Sequence, residues 1–195
     1  MHAAANCCRN ASPDAFKTIK EVLPIIQGVL SYPDQRLVES AALCIIRLIE
    51  SYHRQPDLLD ELLTLNDKAL LRAINNLLLP PGGSPLISTG TYTLFLRALS
   101  SAARSSTKTA VALLEADMSS TIYHILTGVL PPSDPAAPTN DVQRMGGGVA
   151  DMAVMQSLAH RPKEQVEEAL SLVAELMPPL AKGKASTILF GPSRC

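Results

Sequence analysis

Residues 33–53 read PDQRLVESAALCIIRLIESYH, and this stretch decides the fold. Leu37, Ala41, Ile45, Leu48, Ile49 and Tyr52 fall at steps of three and four, which places them on one face of a helix. The opposite stripe, Arg36, Ser40, Leu43, Arg47, Glu50 and Arg54, is mostly polar. The flanking segments follow the same pattern. Upstream, Phe16, Ile19, Val22, Leu23, Ile26 and Leu30 mark a helix over 14–30, with Ser12 as its N-cap and Pro13 at its first position. Ser31-Tyr32-Pro33-Asp34 ends it, and Pro24 inside it predicts a bend or a split into two pieces. Downstream, 56–64 reads as a short helix and 67–79 as a longer one. Pro80-Pro81-Gly82-Gly83-Ser84-Pro85 is a break, and helices over 86–104, 109–116 and 118–130 follow.

The segments repeat. Gln27-Gly28-Val29-Leu30 recurs as Thr127-Gly128-Val129-Leu130, and Asp34 as Asp134. Midway between them Asn76-Leu77-Leu78-Leu79 ends a third helix of this kind. The next helices superpose as well, with Arg47 on Arg97, Arg54 on Arg104, and Ile45-Ile46 on Phe95-Leu96. A short helix, a longer one and a third thus form a unit of about fifty residues, slightly above the ~40–47 of armadillo and HEAT repeats, with loop insertions taking up the excess.

The expected fold is all-α: a short α-solenoid of armadillo/HEAT-like repeats with a linker and two further C-terminal helices. The repeats fill 1–130, with 1–10 as the end of a helix whose repeat starts upstream. Residues 131–148 turn to proline, alanine, aspartate, asparagine and glycine without periodicity, which marks a flexible linker. A helical extension occupies 149–180, with helices over 149–160 and 162–177, and 181–195 reads as a frayed tail. Solenoid ends need a polar cap. Ala3-Ala4-Ala5 opens a helix without one, so the sequence is expected to be a segment of a longer protein or an incomplete gene model.

Composition agrees with helices and excludes several functions. The protein has 195 residues, of which 47% are hydrophobic and 18% charged, too apolar for a disordered polypeptide. Three phenylalanines and no tryptophan argue against a β-sandwich. Seventeen basic against eighteen acidic side chains give a net charge of -1, so nucleic acid and anionic membranes are not expected partners. No stretch supplies the ~20 apolar residues of a membrane span. Cys7, Cys8, Cys44 and Cys195 form no C-x-x-C pair, and the N-terminus lacks a secretory pattern, which together suggest an intracellular setting, nucleus and/or cytoplasm.

Catalytic and metal chemistry find little support. Cys7 and Cys8 beside Arg9, with His53 or His124 as a base, would need a nucleophile turn and an oxyanion site that nothing local marks. The histidines at 2, 53, 124 and 160 have no ligand spacing, so no metal is expected. Gly146-Gly147-Gly148 follows no strand and precedes no Lys-Ser/Thr, and no cofactor is expected. What remains is the stripe. Arg36, Ser40, Arg47 and Arg54 on one helix match Thr93, Arg97 and Arg104 on the helix fifty residues later. Equivalent solenoid helices stack side by side, so these residues line one protein-binding groove, where arginine suits carboxylates and backbone carbonyls. An ordinary solvated face is the competing reading.

Asn6-Cys7-Cys8-Arg9-Asn10, Ser12-Pro13-Asp14, Val38-Glu39-Ser40 with Cys44 and Arg47-Leu48, and the run from His160-Arg161-Pro162 to Pro178-Pro179-Leu180 resemble one family, in order along the sequence. It is the HECT-type ubiquitin ligases of the ubiquitin-fusion-degradation class, which includes the thyroid-receptor-interacting ligase; the linker's style is more fungal than animal. The resemblance covers roughly residues 1–182 and departs after Leu180. It implies an armadillo region that engages protein substrates, degrons or ubiquitin, with proteasome-linked factors as further partners. It also implies that the thioester cysteine lies in a HECT domain, of which this sequence shows no part, so no catalytic residue carries over. Asn6 resembles the groove-facing asparagine of armadillo third helices. Without the resemblance, the same residues suit a general armadillo/HEAT scaffold or adaptor unrelated to ubiquitin.

Overall fold

Small polar side chains start the main helices. Asp34 Oδ1 accepts from the backbone N–H of Arg36 at 2.9 Å and of Leu37 at 3.0 Å. Ser88 Oγ accepts from Thr91 N at 3.2 Å, and Ser106 Oγ from Lys108 N at 3.2 Å. Such caps satisfy amides that a helix leaves without a partner. The structure, a computed structural model, describes residues 15–81, 84–128 and 161–177. Among these residues run seven helices and no strand: α1 (Phe16–Val29), α2 (Gln35–Tyr52), α3 (Pro56–Leu78), α4 (Thr89–Ser105), α5 (Thr107–Glu115), α6 (Met118–Thr127) and α7 (Lys163–Leu176). The expected cap Ser12, the groove residue Asn6, the linker 131–148, the helix 149–160 and the tail 181–195 lie outside the described residues.

Three local features differ from or refine the sequence reading. α1 is one helix through Pro24 rather than two pieces. Pro24 lies on the exposed side, where water can solvate the carbonyl that its missing N–H leaves free, while Phe16, Leu23 and Leu30 anchor the buried side. The two helices read at 56–64 and 67–79 are the halves of α3, joined at a kink where Asn66, Asp67 and Lys68 take positive φ of 51°, 55° and 60°. Fifty residues on, Asp117 sits at φ 65° between α5 and α6, so the same corner recurs with an aspartate in the left-handed region that Asn and Asp tolerate best. The glycine recurrence is looser than it reads. Gly128 is a left-handed cap at φ 75° whose N–H reaches His124 O, whereas Gly28 lies within α1.

The repeat is visible as bonds between units. Glu39 on α2 accepts from Ser88 and from Thr91 Oγ1, 49 and 52 residues away. Asp60 on α3 accepts from Ser106 Oγ at 2.8 Å and Thr109 Oγ1 at 2.7 Å, at separations of 46 and 49. Asn75 Oδ1 accepts from Thr121 Oγ1, again 46 residues away. An acceptor in one unit thus meets a hydroxyl in the next. The protein is an all-α helical repeat segment.

α7 extends the stack. Arg97 with Glu168, Ser100 with Ser171 and Arg104 with Glu175 all pair at a separation of 71. A constant difference means that α4 and α7 run parallel, since an antiparallel pair would keep a constant sum. α2 contacts the other side of the unit, its N-terminal Glu39 beside the start of α4. The helix over 162–177, expected as an extension, is therefore the next layer against α4, and the extra sequence separation lies between α6 and α7. Core residues of every layer meet: Ile45, Tyr52, Leu62, Ile74, Phe95, Ile125 and Leu172 are fully buried. Phe16 meets the Tyr52 ring edge-on at 5.4 Å.

Candidate protein-binding surface

α2 carries one half of the expected groove. Helical geometry sends 36, 40, 43, 47, 50 and 54 to one side, while the rest of the helix is committed to packing: Val38, Ala42, Cys44 and Ile46 are buried in addition to the predicted face. Arg36 and Arg54 are exposed and Arg47 is half-buried. None of these three guanidinium groups makes an ion pair or hydrogen bond among the described residues. Ser40 is half-buried, its Oγ donating back to Arg36 O one turn earlier at 2.8 Å.

α4 carries the other half, and here the surroundings change the chemistry. Arg97 Nε donates to Glu168 Oε1 at 2.7 Å, and Arg104 Nε to Glu175 Oε1 at 2.8 Å. The arginine side chains remain 57% and 64% exposed, but the glutamates are only 20% and 25% exposed. α7 thus lies along this side of α4 and neutralises its arginines with half-buried carboxylates. Thr93 is half-buried, its Oγ1 donating to Thr89 O at 2.9 Å. The structure brings Arg36, Ser40, Arg47 and Arg54 onto one helix face, and Thr93, Arg97 and Arg104 onto the face of the next equivalent helix. Of the stripe's arginines, those of α2 have no charge partner among the described residues.

Glu39 holds the two halves in register. Its carboxylate accepts from Ser88 N at 2.9 Å, from Ser88 Oγ at 2.7 Å, and from Thr91 Oγ1, whose side chain is buried. Burial alone would raise the pKa of this carboxyl, but the bonds from Thr91 and Ser88 outweigh it and hold the value below 4.5. Glu39 entered the sequence reading only within Val38-Glu39-Ser40, and neither it nor the pair Glu168 and Glu175 was singled out as a site residue. A signal for the pair was present, since they are spaced by seven residues as Arg97 and Arg104 are. Among the described residues no cluster of His, Cys, Asp and Glu could hold a metal, and no helix is long and apolar enough to cross a membrane.

Comparison with known proteins agrees with the resemblance read from residues 6–180. The chain is 30% identical over 190 residues to the E3 ubiquitin-protein ligase UPL3 of Arabidopsis thaliana, a match covering 95% of this chain and 9% of that ligase. It is 28% identical over 180 residues to the E3 ubiquitin-protein ligase TRIP12 of Danio rerio, covering 92% of this chain and 8% of the ligase. A probable ubiquitin fusion degradation protein of Schizosaccharomyces pombe matches at 28% over 175 residues, 90% of this chain and 10% of that protein. No protein-family model matches. The chain is thus a relative of one segment of E3 ubiquitin ligases and spans a tenth or less of each of these three.

Proposed function

We propose that this protein is a recognition segment of a HECT-type ubiquitin ligase, an armadillo-type stack that holds protein substrates, degrons or ubiquitin while catalysis takes place elsewhere. The observation that carries this reading is the similarity to three ligase-related proteins over nine-tenths of the sequence or more. The arginines of α2, which have no charge partner among the described residues, support it, because such guanidinium groups on a helix bind carboxylates and carbonyls at low ordering cost. In this reading the protein acts in polyubiquitination that leads to proteasomal degradation, in the nucleus or cytoplasm, with proteasome-linked factors as further partners.

The test separates the two halves of the groove. Arg97→Glu would set a carboxylate against Glu168 and disturb packing, so the informative variant is Arg47→Glu with Arg54→Glu. Binding of ubiquitin and of a ubiquitin-fused substrate is measured on the immobilised protein, with helical content followed by circular dichroism. Loss of charge-assisted contacts is expected to weaken binding by about ten- to a hundredfold. Unchanged affinity in a folded variant would remove the stripe from the binding surface. Failure of the unmodified protein to bind either probe would favour a scaffold unrelated to ubiquitin.

A further inference from the structure

A concave feature lies away from the α2 arginines. At the N-terminal ends of α4 and α7 a cleft of about 360 Å³ opens, within the size range of small-ligand sites. Leu79, Pro80, Pro85 and Ile87 form an apolar wall, and Tyr92, His124, Arg161 and Gln165 supply the polar groups. Among the described residues that line it, none is acidic.

Three of these polar groups lack an internal partner among the described residues. Gln165 is only 9% exposed, yet its side-chain amide makes no hydrogen bond there. His124 Nδ1 is buried and equally without a hydrogen-bond partner. Arg161 is half-buried and forms no ion pair among the described residues, while on α7 Glu167 pairs with Lys163 at 3.3 Å and Glu168 with Arg97. Tyr92 has already committed its proton, its hydroxyl donating to Leu78 O at 3.1 Å, which leaves the phenol oxygen as an acceptor. The stem of Gln165 is packed away while its unbonded amide is still reached by solvent, so a ligand in the cleft can take it up, and the buried His124 Nδ1 lacks a partner that a ligand could supply. An unpaired guanidinium and two parallel helix N-termini beside it favour a negative charge. The apolar wall favours a hydrocarbon group next to that charge.

We propose that the cleft at the N-terminal ends of α4 and α7 binds a peptide carboxylate flanked by an apolar side chain, with Arg161 and the Gln165 amide holding the carboxylate and the Leu79–Ile87 wall holding the apolar group. The carboxylate comes from the free C-terminus of a peptide or from an acidic residue within it. None of Arg36, Arg47 or Arg54 lines the cleft, so the proposal stands apart from the arginine stripe.

The experiment is a nuclear magnetic resonance titration of the whole protein, following the Gln165 side-chain amide and the His124 ring. Three probes are used: acetyl-Gly-Leu with a free carboxylate, the same peptide as its C-terminal amide, and acetyl-Glu-Leu amide. The proposal expects the first or third probe to bind at least about tenfold more tightly than the uncharged second, and whichever binds identifies the source of the carboxylate. Arg161→Gln, which removes the charge from a half-buried side chain, is expected to erase that preference. Gln165→Glu, nearly isosteric, is expected to abolish binding by repulsion. Equal binding of acid and amide, no response at Gln165 to any probe in the millimolar range, or an undiminished preference in folded Arg161→Gln would each overturn the proposal. The acid-to-amide comparison on the unmodified protein decides the matter even if a variant fails to fold.

Discussion

Replacing Glu39 by alanine removes the acceptor for three hydrogen bonds that join α2 to the start of α4. Ser88 is exposed and finds water instead, so its two bonds contribute little net loss. Thr91 is only 4% exposed, and its hydroxyl exchanges a carboxylate partner for the neutral Ser88 Oγ, which lies 3.2 Å away. A bond to a charged acceptor is worth about 1.5–3 kcal/mol and a neutral one about 0.5–1.5, so the exchange costs about 1 kcal/mol. Ser88 also caps α4, and its Oγ is oriented by Glu39. The expected total is about 1–2 kcal/mol, a fall of roughly 2–8 °C in melting temperature for a protein of this size. Urea unfolding followed by circular dichroism measures it.

The pH dependence provides the control. The folded-state carboxyl titrates below its ordinary value of 4.5, so the unfolded state takes up the proton first as the pH falls. The stabilisation from Glu39 is therefore complete above 4.5 and fades as the pH drops through the lower, folded-state value. Glu39→Gln is nearly isosteric and cannot ionise. It is expected to be less stable than the parent near neutral pH by about 1 kcal/mol, and the gap should close in acid. A Glu39→Ala variant within about 0.5 kcal/mol of the parent would refute the reasoning, because that is the range of surface changes that touch nothing. A Glu39→Gln gap that ignores pH would count against it equally.

Other perturbations probe other layers. Pro24→Ala restores an amide to α1 at an exposed position and is expected to stabilise by about 1–3 kcal/mol, read as a higher urea midpoint. Leu172→Ala opens a cavity where α7 meets the core and is expected to cost about 2–5 kcal/mol, with amide exchange accelerating in α7. Tyr92→Phe deletes the bond to Leu78 O and is expected to cost about 1 kcal/mol. Burial raises the Tyr92 hydroxyl above its ordinary 10.0, only partly offset by Arg161, so its stabilisation is complete below that value and is lost as pH rises beyond it. Tyr92→Phe should flatten that alkaline loss in a pH titration of unfolding.

Much of the fold was legible because its main determinants are local. The apolar period of 33–53 defined α2, and the repeat offset reappears in the bonds of Glu39, Asp60 and Asn75, whereas the caps Asp34 and Ser88 were not read, and the helix expected from 86 starts at Thr89. What was hidden depends on neighbours. α2 is buried over a wider arc than its stripe implied because helices press on it from several sides, which periodicity alone does not report. The pairing of α4 with α7 was hidden for a different reason. Arg97 and Arg104 match Glu168 and Glu175 in spacing, but the register of 71 differs from the repeat length of about fifty by whatever sequence intervenes.

That register gives the candidate surface its polarity. Arg47, Arg97 and Glu168 occupy equivalent positions on α2, α4 and α7, and Arg54, Arg104 and Glu175 do the same one helical heptad further on. Each glutamate neutralises the arginine on α4, its nearest neighbour, and leaves the α2 arginine without a charge partner among the described residues. The surface therefore runs from positive on α2, through balanced on α4, to glutamates on α7 already engaged with arginine. A ligand that needs guanidinium groups meets ones on α2 that have no charge partner among the described residues, whereas on α4 it must first displace a half-buried carboxylate. Displacement costs what the pair contributes, and the more buried the carboxylate, the larger that cost. Under the proposed function α2 is the side that a ligand would engage first, and Glu168→Gln with Glu175→Gln is the change that would extend the positive surface onto α4.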